Sequence, residues 1–292
     1  MNKLLTGATA LLLGVSSYFA VQAWRTSDPV NAAVMIVGQG TGGTGSIIET
    51  SASKSTILTN AHVCNGAVRT GSSVITRDRK IHQIQSVLLS ENYDLCLITV
   101  DENLKHSLKI ASESPTTFEN ATVVGHPQLL PTVISKGLFG DKLPITLLVD
   151  AKKCTEKDFE DPNKAIYCIF FGLYPIFRTY ESQLVSALIM PGNSGSAIVN
   201  SNNEISAVVY AGNGRGLSFA FAMPLEAIQN FVADAKDREF TSVEAFTTQR
   251  TGEPSVAAVK VLMRLISEST ACATSELEAC KVMDIVMPLE MK

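Results

Sequence analysis

Pro191-Gly192-Asn193-Ser194-Gly195-Ser196 runs straight into the apolar segment Ala197-Ile198-Val199. One serine stands between two glycines at the mouth of what reads as a strand. A serine hydroxyl attacks a carbonyl only when a base takes its proton and donors receive the oxyanion. Gly192, lacking a Cβ, can turn its own N–H and that of Ser194 toward one point. Pro191 has no N–H and stiffens the approach. Gly-Asn-Ser-Gly alone also suits an ordinary turn, so its meaning rests on partners elsewhere in the chain.

Two such partners lie upstream. Thr59-Asn60-Ala61-His62-Val63-Cys64 follows the β-prone Ser55-Thr56-Ile57-Leu58, and Tyr93-Asp94 opens the apolar Leu95-Cys96-Leu97-Ile98-Thr99-Val100. His62 precedes Asp94 by 32 residues, and Asp94 precedes Ser194 by 100. Histidine, then acid, then serine is the order used by chymotrypsin-like proteases, whereas subtilisins and α/β-hydrolases use others. An α/β-hydrolase esterase also needs Gly-x-Ser-x-Gly with the histidine last. Here Ser196 fills the fifth position and His62 comes first, so that reading is rejected. Asp78, ringed by Arg77, Arg79 and Lys80, reads as part of a solvated turn, and His82, His106 and His126 as surface or turn residues.

On these residues the chain resembles the trypsin-like, chymotrypsin-fold serine proteases of the bacterial type, nearest to HtrA/Deg proteases and glutamyl endopeptidases. Ala121-Thr122-Val123-Val124-Gly125-His126-Pro127 resembles the strand and turn that open the second barrel of that family. Phe219-Ala220-Phe221-Ala222-Met223-Pro224 resembles the strand that ends it. The likeness covers residues 32 to 235. It implies an all-β fold of two six-stranded antiparallel β-barrels, chymotrypsin-like, with the active site between them and a short helical C-terminal extension. It implies Ser194 as nucleophile, His62 as general base and then acid, and Asp94 as the group that orients His62. The N–H groups of Gly192 and Ser194 would form the oxyanion hole.

The resemblance also places a substrate pocket at Leu188, Tyr210, Ala211, Gly212 and Ala220. Leu188 stands where trypsins carry an acid, so a basic preference is not expected. Ser218, Phe219 and Ala220 stand where glutamyl enzymes carry a histidine, so a Glu preference is not expected either. Small or medium apolar P1 residues fit best, and Tyr210 is bulkier than the residue usual at its position. The implied activity is endopeptidase cleavage of protein or peptide substrates through an acyl-enzyme, with no cofactor and no metal. The alternative is a catalytically inert protease-fold protein acting as a binding module.

Composition fits a folded enzyme. The chain has 292 residues, of which 46% are hydrophobic and 18% charged, unlike a disordered chain. A formal net charge of −4 supplies no basic footprint for nucleic acid, and no glycine-rich phosphate loop is present. Lys3, a run dominated by apolar and small residues from Leu4 to Ala20, and Val21-Gln22-Ala23 read as a signal peptide over 1–23. The rival is an uncleaved membrane anchor over residues 4–23. The first predicts a secreted or periplasmic protein without stable membrane insertion, the second a membrane-anchored one outside the cytoplasm.

The chain has six cysteines, which suits that address; number alone allows 15 pairings. Cys64 and Cys96 each lie two residues past His62 and Asp94, and on extended chain such residues share a face. They read as a bridge between the two segments, or as free buried apolar residues. Cys154 and Cys168 bracket an insert, and Cys272 and Cys280 a turn in the tail. A metal reading of His62, Cys64, Asp94 and Cys96 lacks a Cys-x-x-Cys pair.

Along the chain, 24–30 reads as a loose leader, 31–115 as the first barrel, 116–235 as the second and 236–292 as a helical extension. Strands are expected at 33–37, 45–49, 72–76, 84–89, 121–124, 131–136, 145–149, 166–171, 196–199, 205–210 and 218–223. Residues 38–45 read as a glycine-rich loop or hairpin, and the charged 151–161 as a solvated loop. Leu225 to Val232 has helical spacing. Ala258, Val261, Leu262 and Leu265 form a further helical stripe in a tail too short for a PDZ domain.

Overall fold

The computed structural model describes residues 28–38, 41–68, 72–212 and 219–248. The expected signal peptide, Ser218 and the tail with Cys272 and Cys280 lie outside the described residues.

Two antiparallel sheets make up the described fold. The first contains β1 (Ala33–Gly38), β2 (Thr41–Thr50), β3 (Ser55–Thr59), β4 (Ser73–Ile75), β5 (Ile81–Gln83), β6 (Ser86–Leu89) and β7 (Cys96–Val100). The second contains β8 (Asn120–Gly125), β9 (Val133–Lys153), β10 (Leu173–Val185), β11 (Ala197–Val199), β12 (Ile205–Gly212) and β13 (Ala220–Pro224). This second set closes into a six-stranded barrel in the order β10-β13-β12-β11-β8-β9. The first is an eight-stranded sheet, completed at the β6 edge by β14 (Thr241–Ser242) from beyond the second barrel. The chymotrypsin-like double-barrel plan expected from the motifs is thus present, with one half closed and the other extended by a return strand.

Burial explains why these segments are strands. β7 and β12 are buried at every position, and both lie between two neighbours in their sheets, so apolar side chains are required on both faces. Their cores merge: Leu58 and Leu97 of the first sheet, with Leu95 just before β7, pack in one cluster with Val208, Tyr210 and Met223 of the second. Helix α4 (Leu225–Asp234) lays Leu225, Ile228 and Phe231 onto that cluster. Their three-residue spacing gives the helix one apolar stripe, and burying each side chain is worth about 1.5–3 kcal/mol. Among the described residues α1 (Pro29–Ala32), α2 (Ala61–Gly66) and α3 (Pro162–Phe171) precede it, and α5 (Val243–Thr248) ends the described chain.

Several sequence expectations need correction. Residues 166–171 are not a strand but the end of helix α3 (Pro162–Phe171). Asp161 caps it by accepting from Asn163 N–H at 3.0 Å, Pro162 occupies its first turn, and Gly172 ends it at φ 65°. Those start and stop signals outweigh the β-prone run Ile166–Phe171. Of the loop or hairpin expected at 38–45, the hairpin forms: β2 begins at Thr41 and pairs with β1 from Gly38↔Thr41 onward. Strands expected at 131–136 and 145–149 are parts of one long strand, β9. It pairs with β10 from Phe139↔Val185 out to Lys153↔Leu173, so the charged loop begins only after Lys153. His82 and His126 are buried rather than exposed, at 5% and 3%.

Candidate active site

His62 and Asp94 arrive from neighbouring strands. β3 and β7 pair with Thr59 opposite Cys96. Asn60 then ends the strand, and the chain turns into α2, which carries His62. Asn60 Nδ2 donates to the backbone carbonyl of Asp94 at 2.8 Å. The Asp94 carboxylate is used twice. Its Oδ1 accepts the His62 backbone N–H at 2.9 Å, and its Oδ2 lies 2.6 Å from His62 Nδ1. An ionised carboxylate only accepts, so Nδ1 carries the ring proton and Nε2 is the basic nitrogen. The Asp94 side chain is 9% exposed and that of His62 24%, which shelters the pair while leaving the ring an open edge.

Cys64 and Cys96 form a disulfide with a Cα–Cα distance of 6.6 Å. Of the two readings, bridge or free buried cysteines, the bridge holds, although Cys64 is on a helix and not on extended chain. One turn of α2 brings its sulfur over β7. With both thiols in the bridge, a metal site built on His62, Cys64, Asp94 and Cys96 is excluded. Cys154 and Cys168 are also joined, at a Cα–Cα distance of 5.6 Å.

The Ser194 segment is a turn between two left-handed glycines, Gly192 at φ 93° and Gly195 at φ 85°. Few residues but glycine adopt such angles, and here there is no space either. A Cβ on Gly192 would lie 2.6 Å from His126 O, and one on Gly195 2.0 Å from Thr44 O. The backbone donors of this turn divide into two sets. Asn193 N–H bonds Met190 O at 3.0 Å, Gly195 N–H bonds Val209 O at 2.8 Å, and Ser196 N–H bonds Asn193 O at 2.9 Å. The N–H groups of Gly192 and Ser194 remain, engaged with no acceptor among the described residues. Ser194 is fully buried, and its hydroxyl is without a hydrogen-bond partner among those residues. The loop sits against the His62 segment: a Cβ on Gly43 would lie 2.8 Å from Val63 Cγ2 and 2.9 Å from Ser194 O.

The expected pocket residues do not all meet. Ala211 and Gly212 are buried on β12, and Ala220 is buried on β13 opposite Gly212. Leu188 is 61% exposed and faces a different cleft, of about 100 Å³, with Val133, Ile134 and Met190. Tyr210 lines neither that cleft nor the one beside Gly192. It sits at a register shift of β12, fully buried, with its hydroxyl bonded to Ser182 Oγ and its ring 6.2 Å from that of Tyr180. Burial, with Asp94 nearby, pushes the Tyr180 phenol up to about 12. The same causes push Tyr210 higher still, against the opposing hydrogen bond from Ser182. Both therefore stay neutral. The sequence reading missed a cleft of about 270 Å³ beside Gly192, lined by Gly38, Thr41, Gly42, Gln128, Leu129 and Pro191. Its two sides are far apart in the chain, and no local motif announces them.

The profile of the trypsin-like peptidase domain matches residues 43–208. No curated protein matches the chain. Among solved structures, the Rv3671c protease of M. tuberculosis in its active form aligns with a TM-score of 0.57 and 17% identity, over 76% of this chain and 87% of that one. A serine endoprotease from Yersinia pestis aligns at 0.52 and 20%, over 73% and 65%. The HtrA-type protease AlgW, solved with a tripeptide, aligns at 0.52 and 17%, over 70% and 60%. At these identities the solved structures speak for the fold alone.

Proposed function

We infer that the chain, which belongs to the trypsin-like peptidase family, is a serine endopeptidase working through a His62–Asp94–Ser194 triad and an acyl-enzyme. One observation carries this reading: the doubly used Asp94 carboxylate, which holds both the backbone and the Nδ1 edge of His62 and so leaves Nε2 as the base. Ser194 Oγ attacks the scissile carbonyl carbon while its proton passes to His62 Nε2. The carbonyl oxygen, now an oxyanion, takes hydrogen bonds from Gly192 and Ser194 N–H, the two donors their turn leaves open. The tetrahedral species collapses as His62 returns the proton to the leaving amine, giving the acyl-enzyme and the first product. Water, deprotonated by His62, then releases the acid and restores Ser194.

Small or medium apolar P1 side chains are the proposed preference, resting on the family likeness that places the small residues Ala211, Gly212 and Ala220 at the pocket. In this reading 31–115 and 116–235 form the two halves of the peptidase, 236–292 is an extension, and the disulfides favour an oxidising compartment. They support the secreted or periplasmic address that a signal peptide over 1–23 predicts.

The test is labelling by a fluorophosphonate probe of the wild type, Ser194→Ala and His62→Ala, with the adduct mapped by mass spectrometry. Label on Ser194 that both substitutions abolish is the expected result. A folded wild type that takes no label overturns the triad and leaves the inert binding module.

A further inference from the structure

The nucleophile turn is held from outside by one side chain that no motif singled out. Thr44, in β2, is completely buried. Its hydroxyl donates to Gly192 O at 2.9 Å and accepts from His126 N–H at 2.9 Å. Its backbone N–H donates to Ser194 O at 2.8 Å. Its own carbonyl accepts from Thr59 Oγ1 at 2.7 Å, three residues before His62. One residue of the first sheet thus grips the carbonyls of both Gly192 and Ser194, and is itself tied to the strand that launches the histidine.

This grip bears on the two open N–H groups. A peptide unit is planar and trans, so fixing its carbonyl fixes the opposite direction for its N–H. Gln128 N–H bonds Pro191 O at 2.5 Å, which sets the peptide whose N–H is that of Gly192. Asn193 O receives Ser196 N–H, which sets the peptide whose N–H is that of Ser194. The peptide between them, carrying Gly192 O, is held by the Thr44 hydroxyl and by Asn193 N–H to Met190 O. Without that hydroxyl the central unit loses an anchor, and Gly192 has the freedom to rotate. The donor and acceptor roles of the hydroxyl are both occupied, so it has no alternative rotamer that keeps them.

We propose that Thr44 is a positioning residue that aims the Gly192 and Ser194 N–H groups at a common point by fixing the Gly192 carbonyl. The proposal rests on the serine-peptidase reading for its kinetic consequence but not for its structural one, and the test separates them. Thr44→Val keeps the shape and removes the hydroxyl; Thr44→Ser keeps the hydroxyl. The full-length chain and both variants are treated with the fluorophosphonate probe, and kinact and KI are measured separately on the labelling-competent fraction. Losing one oxyanion donor lowers turnover by about 10²–10³-fold. We expect Thr44→Val to lower kinact by about 10²-fold with KI changed by less than about two-fold, and Thr44→Ser to stay within about three-fold of wild type.

A merely structural role would reduce the competent fraction and leave its kinact alone; that result overturns the proposal, as does Thr44→Ser behaving like Thr44→Val. In parallel, the backbone amide resonances of Gly192 and Gly195 are compared by NMR. They are expected to shift or broaden in Thr44→Val and to stay in place in Thr44→Ser. A wild type without label defeats the triad but leaves this readout, and unchanged resonances in Thr44→Val then overturn the placement of Thr44.

Discussion

The Ser194 turn at 190–196 and the tip of the β9–β10 hairpin at 153–174 both project from strands of the second barrel, yet they are held in opposite ways. The tip holds itself. Thr155 donates through its N–H and its hydroxyl to Asp158 at 2.8 and 2.7 Å, and Lys164 reaches Asp158 at 3.1 Å and the Tyr174 ring at 4.7 Å. Cys154 N–H bonds Gly172 O, and the Cys154–Cys168 bridge closes the unit. The turn is held by strangers. Its anchors come from Thr44, 148 residues before Gly192, and from the backbone at Gln128 and Val209. A self-contained unit tolerates damage locally, while a turn built on remote anchors transmits it to the chemistry.

The sharpest way to break this contrast is Gly192→Val. Its side chain would meet His126 O and Gln128 N, so the turn must move. We expect kcat/KM to fall by about 10³-fold with the circular dichroism spectrum unchanged. Wild-type turnover would mean that the turn is not held as described.

Removing Cys64–Cys96 tests the support beneath His62 and Asp94. The bridge spans 32 residues, and Cys64→Ser with Cys96→Ser is expected to cost about 2–4 kcal/mol in chemical denaturation. Activity should fade at temperatures the wild type withstands.

A smaller effect comes from His126, whose backbone flanks Gly192 and whose Nδ1 donates to Leu130 O at 3.0 Å. Burial holds its imidazole below the ordinary histidine range, against opposing backbone hydrogen bonds. Its unfolded form takes up a proton first as pH falls. The neutral folded ring therefore contributes fully above about pH 6.5, and stability declines below it, by at most about 1.4 kcal/mol per pH unit. Urea titrations between pH 7.5 and 5 should show that slope reduced in His126→Gln; parallel curves would count against it.

The smallest effect is expected at the tip. Cys154→Ser with Cys168→Ser should open residues 153–174 to limited proteolysis while kcat/KM stays within about two-fold of wild type, because local opening costs little elsewhere. A large loss of activity would make the tip part of the substrate groove and end the contrast drawn above.

The legible parts of the site were those whose chemistry sits in one short segment. Gly192 was readable because aiming its N–H needs backbone freedom that only glycine has, whereas the left-handed Gly195 pressed against Thr44 O was not. His62 and Asp94 were readable because each closes or opens an apolar strand. The fold plan followed from the order of these segments and from short β-prone runs. Local competition produced the misses. At 162–171 a helix cap, a first-turn proline and a terminal glycine beat β-branched residues.

By itself the sequence determined the chemical cast of this protein: a serine between glycines, a histidine and an acid in a particular order, and cysteines in separable pairs. Tertiary structure alone decided what holds that cast in place. It chose Thr44 as the anchor of Gly192, turned the Tyr210 hydroxyl to Ser182, and buried His126. The reason is physical. A side chain's reactivity is local, but the partner of a backbone carbonyl is whichever strand passes within about 3 Å, and sheet closure settles which strand that is.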